Sequence, residues 1–199
     1  MSDINDVSVD GRVARRERNI DNVLDVVLEL FAEESLFPTI EQAATRSGLS
    51  LRSLYRYFAD PGELLEATVR RSRERGVEVA HLRGIGQGPL GSRIDDFVAM
   101  RLRLHDVMGS VFRATVANAA RRPRLGDELA ATRNELRRQF ELQFAPELGA
   151  GEPGREARLV AGDLLTQIDS IDLLRRHHQL SMVEAEAVLG DALLALLEN

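Results

Sequence analysis

Apolar residues recur every three or four positions along most of this 199-residue chain, which is the spacing of amphipathic helices. The first such stripe predicts a helix from about Arg16 to Ser35, with Ile20, Val23, Leu24, Val27 and Phe31 on its inner face. The same spacing returns after each turn signal and continues to the C-terminus. The sequence therefore predicts an all-α protein of about nine helices.

Two short helical patterns joined by a tight turn lie between Thr39 and Phe58. Thr39 and Gln42 have the spacing of a capping box, which starts the first of these helices. Gly48 accepts the left-handed geometry that ends a helix, and Ser50 is a suitable cap for the second helix. The pattern predicts a helix-turn-helix.

The second short helix is expected to present a polar, non-acidic surface. Leu54 and Phe58 face inward, so the intervening polar and aromatic residues are expected to face out: Arg52, Ser53, Tyr55, Arg56 and Tyr57. The chain has a net charge of −6, yet no carboxylate occurs from Gln42 to Ala59. A recognition helix that approaches DNA phosphates needs this combination.

These residues resemble the DNA-binding domain of the TetR (tetracycline-repressor) family of transcriptional regulators over roughly residues 13 to 70. The resemblance rests on Thr39-Ile40, Ala43-Ala44, Gly48-Leu49-Ser50, the run Ser53 to Phe58, and Leu64-Leu65. It implies a three-helix DNA-binding head followed by a helical ligand-binding and dimerisation domain. The chain departs from the family at Pro61, where a lysine that touches phosphate is usual.

The expected domain organisation has four parts. Residues 1–12 are expected to be a disordered tail, and residues 13–83 to be the DNA-binding domain with its connecting helix four. The segment 84–91, GIGQGPLG, reads as a flexible linker, and residues 92–199 as the helical regulatory and dimerisation domain.

Position on the second short helix and matching family positions assign two sets of DNA contacts. The base-reading candidates are Leu51, Arg52, Ser53 and Tyr55. The phosphate-binding candidates are Thr39, Ser50, Arg56 and Tyr57, together with Arg15 and Arg16 in a basic arm ahead of the first helix. The arm could equally be a solvated helix start.

The resemblance further implies a homodimer, paired through helices at about 155–177 and 181–197, that binds a palindromic operator in double-stranded DNA. The alternative is that these helices form only a monomer's core. It also implies a small-molecule effector, for which the many aliphatic residues suggest an apolar character, in a pocket whose candidate residues are Met100, Leu104, His105, Met108, Phe112, Phe140, Gln143, Phe144, Thr166 and Gln167. Each of these residues could instead be ordinary core.

The expected function is a ligand-responsive transcriptional regulator, usually a repressor in this family. The alternative is an architectural or adaptor DNA-binding protein without an inducer. The chain contains no cysteine, and it lacks an HExxH motif, a nucleophile elbow and a Walker loop, so neither an enzyme nor a cofactor or metal site is expected. With no membrane-spanning run and no signal peptide, a cytoplasmic location is the default expectation.

Overall fold

A computed structural model describes residues 4–34 and 37–198, and within these ranges it is helical and contains no strands, which confirms the all-α prediction. Ten α-helices are present in the described ranges: α1 (Ile4–Glu34), α2 (Ile40–Ser47), α3 (Leu51–Tyr57), α4 (Pro61–Val79), α5 (Leu90–Ala119), α6 (Pro123–Gln143), α7 (Ala145–Leu148), α8 (Arg155–Thr166), α9 (Ile168–Asp172) and α10 (Met182–Leu197). A π-helical turn, Leu173–His177, directly follows α9.

The chain forms two compact units, one ending at Arg71 and one beginning at Ser72. The boundary therefore lies inside α4, earlier than the glycine-rich segment 84–91 that was expected to join the domains. The second half of α4 belongs to the second unit because it packs there: Gly76 lies against the Met108 side chain, and Arg73 pairs with Glu128.

The first unit has a small core built from all four of its helices. From α1 come Val23, Val27 and Phe31, which are fully buried. From the shorter helices come Ile40, Ala43, Ala44, Leu54, Leu64 and Leu65. Arg71 on α4 bonds Asp25 on α1 at 3.0 Å. These contacts hold α2 and α3 on the scaffold of α1.

The N-terminal helix begins earlier than the sequence pattern indicated. α1 starts at Ile4, so residues 4–12 are helical where a disordered tail was expected, and residues 1–3 lie outside the described residues, as does the expected helix end at Ser35. No proline interrupts the segment, and Gly11 costs a helix only about 1 kcal/mol relative to alanine. An apolar stripe therefore underestimates the length of this helix.

The core of the second unit is arranged around α5, which packs against α6, α9 and α10. Three fully buried phenylalanines, Phe97, Phe140 and Phe144, meet with ring centroids 4.9–5.8 Å apart. Such tilted and edge-on arrangements are the favourable ones for aromatic pairs. A second apolar cluster joins Leu104, Met108 and Phe112 of α5 to Leu129 and Leu136 of α6.

One predicted helix boundary in this unit was wrong. α5 runs unbroken through the buried Gly109, because a glycine costs a long helix too little to end it. One helix was expected over 155–177, but it breaks at Gln167, whose backbone is extended (φ −68°, ψ 152°). Apolar spacing carries no information about such a break.

No helix in the described part of the chain is long and apolar enough to cross a membrane.

Candidate DNA-binding surface and ligand cavity

The turn between α2 and α3 is fixed by local hydrogen bonds. Thr39 Oγ1 accepts from the Gln42 amide at 3.2 Å, and the Gln42 side chain accepts from the Thr39 amide at 2.8 Å, which completes the capping box. Gly48 has φ +71°, and the Leu49 amide donates to the Ala44 carbonyl at 3.2 Å. The backbone thus reverses in a geometry that favours glycine.

α3 presents most of its predicted base-reading residues to solvent. Ser50 caps the helix by accepting from the Ser53 amide at 3.2 Å, and the two serine hydroxyls lie 3.0 Å apart. Leu54 is fully buried beneath them, whereas Leu51 and Tyr55 are 42% and 50% exposed. Arg52 is also exposed, so Ser53 alone of the four is half-buried and engaged in the cap.

Tyr57, expected to face outward, has its ring buried in the first unit. Its hydroxyl accepts hydrogen bonds from the Asn19 side chain at 3.2 Å and from Arg56 at 3.3 Å. The guanidinium carbons of Arg16 and Arg56 lie 5.7 and 5.2 Å from the centre of its ring, within the range of cation–π attraction. The structure thus brings three predicted phosphate binders together.

The hydroxyl of Tyr57 keeps its own proton available. A phenol has two acceptor lone pairs and one donor proton, and here Asn19 and Arg56 use the acceptor side. The hydrogen bond from Asn19, followed by that from Arg56, lowers the pKa of Tyr57 below its ordinary value. The remaining O–H is therefore a good donor for a phosphate oxygen.

Asn19 was missed at the level of sequence. It lies one turn after Arg16 on α1, and this spacing places its polar side chain on the same face as Arg16. That spacing is the sequence feature from which Asn19 could have been predicted to join the group. Thr39, Ser50, Arg15 and Arg56 are all exposed, as their expected contact with phosphate requires.

The start of α4 is capped by the carboxylates of Asp60 and Glu63. Asp60 Oδ1 accepts from the amides of Gly62 at 2.6 Å and Glu63 at 3.0 Å, and Glu63 in turn accepts from the Ala59 amide at 2.6 Å. Pro61 occupies the first helical position, where its missing N–H costs nothing.

The second unit contains a cavity of about 70 Å³ between α4, α5 and α6. Its lining is mainly apolar, with polar side chains along α6. The lining residues are Arg73, Gly76, Val77, Ala80, Leu104, Met108, Thr132, Glu135, Leu136 and Gln139. Among the ten residues expected in a pocket, only Leu104 and Met108 line it. Three lining residues come from α4, a helix that the sequence assigned to the DNA-binding domain.

The other eight expected pocket residues serve the core or its polar contacts. Met100, Phe140 and Phe144 belong to the larger apolar cluster, and Phe112 belongs to the second cluster. The polar four have partners elsewhere: Gln143 accepts from the Gly86 amide at 3.3 Å, Thr166 donates to the Gly162 carbonyl at 2.8 Å, Gln167 donates to Asp163 at 2.5 Å, and His105 lies 3.3 Å from Asp172.

No protein-family model matches the chain. A curated relative, the HTH-type transcriptional regulator BetI of Cronobacter sakazakii, is 28% identical over 162 residues, which cover 79% of this chain and 77% of its own length. This relative is named as a transcriptional regulator rather than as an enzyme.

Solved structures share the fold. A TetR-family transcriptional regulator from Streptomyces coelicolor has a TM-score of 0.72 at 21% identity, covering 90% of this chain and 80% of its own. A transcriptional regulator from Rhodococcus sp. Rha1 has a TM-score of 0.70 at 16% identity, covering 90% and 96%. The multidrug binding protein EbrR, complexed with imidazole, has a TM-score of 0.62 at 16% identity, covering 89% and 88%.

Proposed function

We infer that this chain, which has the fold of the TetR-family transcriptional regulators, is a DNA-binding transcriptional regulator and not an enzyme. In the fuller form of the proposal it is a cytoplasmic homodimer that represses from a palindromic operator and is released by a small-molecule effector.

The observation that carries the proposal is the surface of α3. Arg52, Leu51 and Tyr55 are exposed on a helix that two caps and a glycine turn hold in place, in a segment free of carboxylates from residue 42 to residue 59. Arg52 has the donor geometry for a bidentate contact to guanine, and Leu51 or Tyr55 could pack on a thymine methyl. Beside them, Arg16, Arg56 and Tyr57 form a group suited to the DNA backbone.

Dimerisation is supported by apolar side chains left exposed on α8 and α10, which pack against each other. On α8, Val160 and Leu164 are 37% and 60% exposed, and on α10, Val183 and Val188 are 74% and 45% exposed. Burial of these side chains against a second copy would remove this apolar surface from water. Two recognition helices would then be available for successive major grooves, about 34 Å apart.

Effector release is supported by the cavity on α4, α5 and α6. Its lining residues Arg73, Gly76 and Val77 belong to α4, the same continuous helix that supplies Leu64 and Leu65 to the first unit's core. One structurally similar protein is named as a multidrug binding protein, which fits a small-molecule site in this fold. Effector and operator would weaken each other's binding by the same factor, as linkage requires.

The test is fluorescence anisotropy of the full-length protein with DNA that flanks its own gene, against scrambled DNA, at two salt concentrations. We expect two chains on one palindromic site and a salt-dependent affinity. Arg52→Ala should cost about 1–3 kcal/mol on the specific site and much less on scrambled DNA. Arg121→Ala, which removes an exposed arginine from the second unit, is the matched control for the change in charge.

Equal losses of affinity from Arg52→Ala on both DNAs would show that Arg52 does not read bases. An equally large loss of affinity from Arg121→Ala would show that the effect comes only from the change in net charge. The dimer is tested separately by sedimentation of Val183→Arg. This variant should shift the protein toward monomer, whereas Val116→Arg, at a 41% exposed valine on α5, should leave the dimer intact.

The small size of the cavity favours one second candidate, an architectural or adaptor DNA-binding protein without an inducer. Its second unit would serve only to dimerise or to bind another protein. Broad occupancy of unrelated DNA, together with an affinity that no small molecule changes, would support this candidate over the regulator.

A further inference from the structure

The second unit contains an arginine buried without a carboxylate partner. Arg101, on α5, is 1% exposed, and its guanidinium carbon lies 4.5 Å from the centre of the Phe97 ring. Within the described ranges no carboxylate oxygen forms an ion pair with it. Buried charges in proteins are normally paired, because removal from water is costly for an ion.

The guanidinium donates only to uncharged acceptors, and one of its donor nitrogens has no acceptor. Nη1 donates to the side-chain oxygen of Gln139 at 2.9 Å, and Nη2 donates to the Leu136 carbonyl at 2.6 Å. Nε is buried and has no partner. Burial lowers the pKa of Arg101 to about 9, although Asp163 and Glu135 act in the opposite direction.

Nearby charged groups are already engaged with other partners. Asp163 accepts from Gln167 at 2.5 Å and lies 3.8 Å from Arg137, while Glu135 pairs with Arg138 at 3.5 Å. These carboxylates therefore leave the Arg101 guanidinium without a direct counter-ion.

Arg101 stands directly behind the wall of the cavity. Both groups that accept from it belong to lining residues, Leu136 and Gln139, and Leu104, one turn further along α5, lines the cavity as well. Gln139 thus lines the cavity and also accepts a hydrogen bond from the guanidinium. A ligand carboxylate that displaced the Gln139 oxygen would supply the missing negative charge through a charge-assisted hydrogen bond.

We propose that the cavity binds an aliphatic monocarboxylate, with its carboxylate on Arg101 in place of the Gln139 side chain and its chain among Gly76, Val77, Ala80, Leu104 and Met108. The inference rests on the effector site proposed above and names the chemical class of its ligand. Arg73, which lines the cavity, is paired with Glu128 and is not the carboxylate's partner.

Calorimetry of the full-length protein with hexanoate, hexan-1-ol and hexylamine tests the proposal, because the three share one chain and differ in the head group. We expect hexanoate to bind most tightly. Arg101→Met should weaken hexanoate by about 10–100-fold, the loss of a charge-assisted hydrogen bond, and should leave hexan-1-ol unchanged.

Gln139→Glu keeps the proposal testable if Arg101→Met does not fold. This variant places a permanent carboxylate beside the guanidinium, so it should abolish hexanoate binding and leave hexan-1-ol unaffected. Gln139→Ala removes the competing neutral acceptor and should tighten hexanoate. Equal binding of hexanoate and hexan-1-ol, tighter binding of hexylamine, binding of none of the three, or full hexanoate binding by Gln139→Glu would each overturn the inference.

Operator binding, measured by anisotropy without any carboxylate, separates this inference from the proposed function. Specific DNA binding with no preference for hexanoate would refute the ligand class and leave the regulator standing. Hexanoate binding that depends on Arg101, with no specific DNA binding, would refute the regulator and leave the carboxylate site.

Discussion

Gly162, on α8, is the position at which the packing of the second unit can be tested most sharply. A Cβ atom added there would lie 1.9 Å from Phe140 Cζ and 2.6 Å from both Cε atoms, against a normal carbon–carbon contact of about 3.5–4.0 Å. The ring cannot retreat freely, because Phe97 and Phe144 hold it at centroid distances of 5.8 and 4.9 Å.

The expected cost of Gly162→Ala follows from two opposing terms. Overpacking of a filled core costs about 1–3 kcal/mol, and so deep an overlap belongs at the upper end of that range. Replacing glycine by alanine inside a helix returns about 1 kcal/mol. The net loss is therefore about 2 kcal/mol, which corresponds to a fall in Tm of about 4–8 °C for a chain of this size.

Urea and thermal unfolding, followed by circular dichroism at equal protein concentration, measure this loss. Gly126→Ala on α6 is the matched control, because its added Cβ would meet only the Ala119 carbonyl oxygen, at an ordinary 3.9 Å. We expect this control to stabilise by about 0.5–1 kcal/mol. A Gly162→Ala variant as stable as the Gly126→Ala variant would refute the packing described for Phe140.

A double-mutant cycle sharpens the result. Phe140→Leu removes the ring atoms that the new methyl would meet, so Gly162→Ala should cost less in that background, with a coupling of about 0.5–3 kcal/mol. If the destabilising effects of the two substitutions are additive, the cost of Gly162→Ala does not arise from contact with the Phe140 ring.

Three further variants test local features. Burial lowers the pKa of His105, which faces Asp172, Asp106 and Arg113. Below about pH 6.5 the unfolded chain therefore binds more protons than the folded chain, and the stability should drop there. His105→Gln should flatten the dependence of Tm on pH between pH 7 and pH 5. Gly48→Ala, at φ +71°, should destabilise by about 1–2 kcal/mol in urea unfolding. Tyr57→Phe should weaken binding to specific and scrambled DNA alike in anisotropy titrations, and loss on one DNA alone would contradict its phosphate role.

Local rules allowed the helix-turn-helix to be predicted in detail. The capping box at Thr39, the left-handed Gly48 and the cap at Ser50 depend on neighbouring residues only, and the structure contains all three. Tyr57 was misplaced because its hydroxyl suggested an outward position. Leu54, Tyr57 and Phe58 share the i, i+3, i+4 spacing of a buried face, and the ring follows that spacing.

Tertiary packing set the features that the sequence did not reveal. The residues that line the cavity come from α4, α5 and α6 and are up to 66 positions apart in the sequence, from Arg73 to Gln139. The apolar stripe of one helix does not indicate which other helix it will pack against. Likewise, nothing in the sequence distinguishes Arg101 from the exposed arginines of the chain. Its burial depends on Phe97, Leu136 and Gln139, which surround it only after folding.

Pro61 at the start of α4 has a consequence for ionic strength. Each phosphate that a protein neutralises adds about 0.9 to the slope of log affinity against log salt concentration. Compared with a lysine at this position, the proline should therefore reduce this slope by about 0.9 for one DNA-binding unit and by about 2 for a pair of units. The protein would bind DNA more weakly in dilute buffer, but its operator complex would lose less affinity as the salt concentration rises. The base contacts from α3 would then account for a larger share of the stability of that complex.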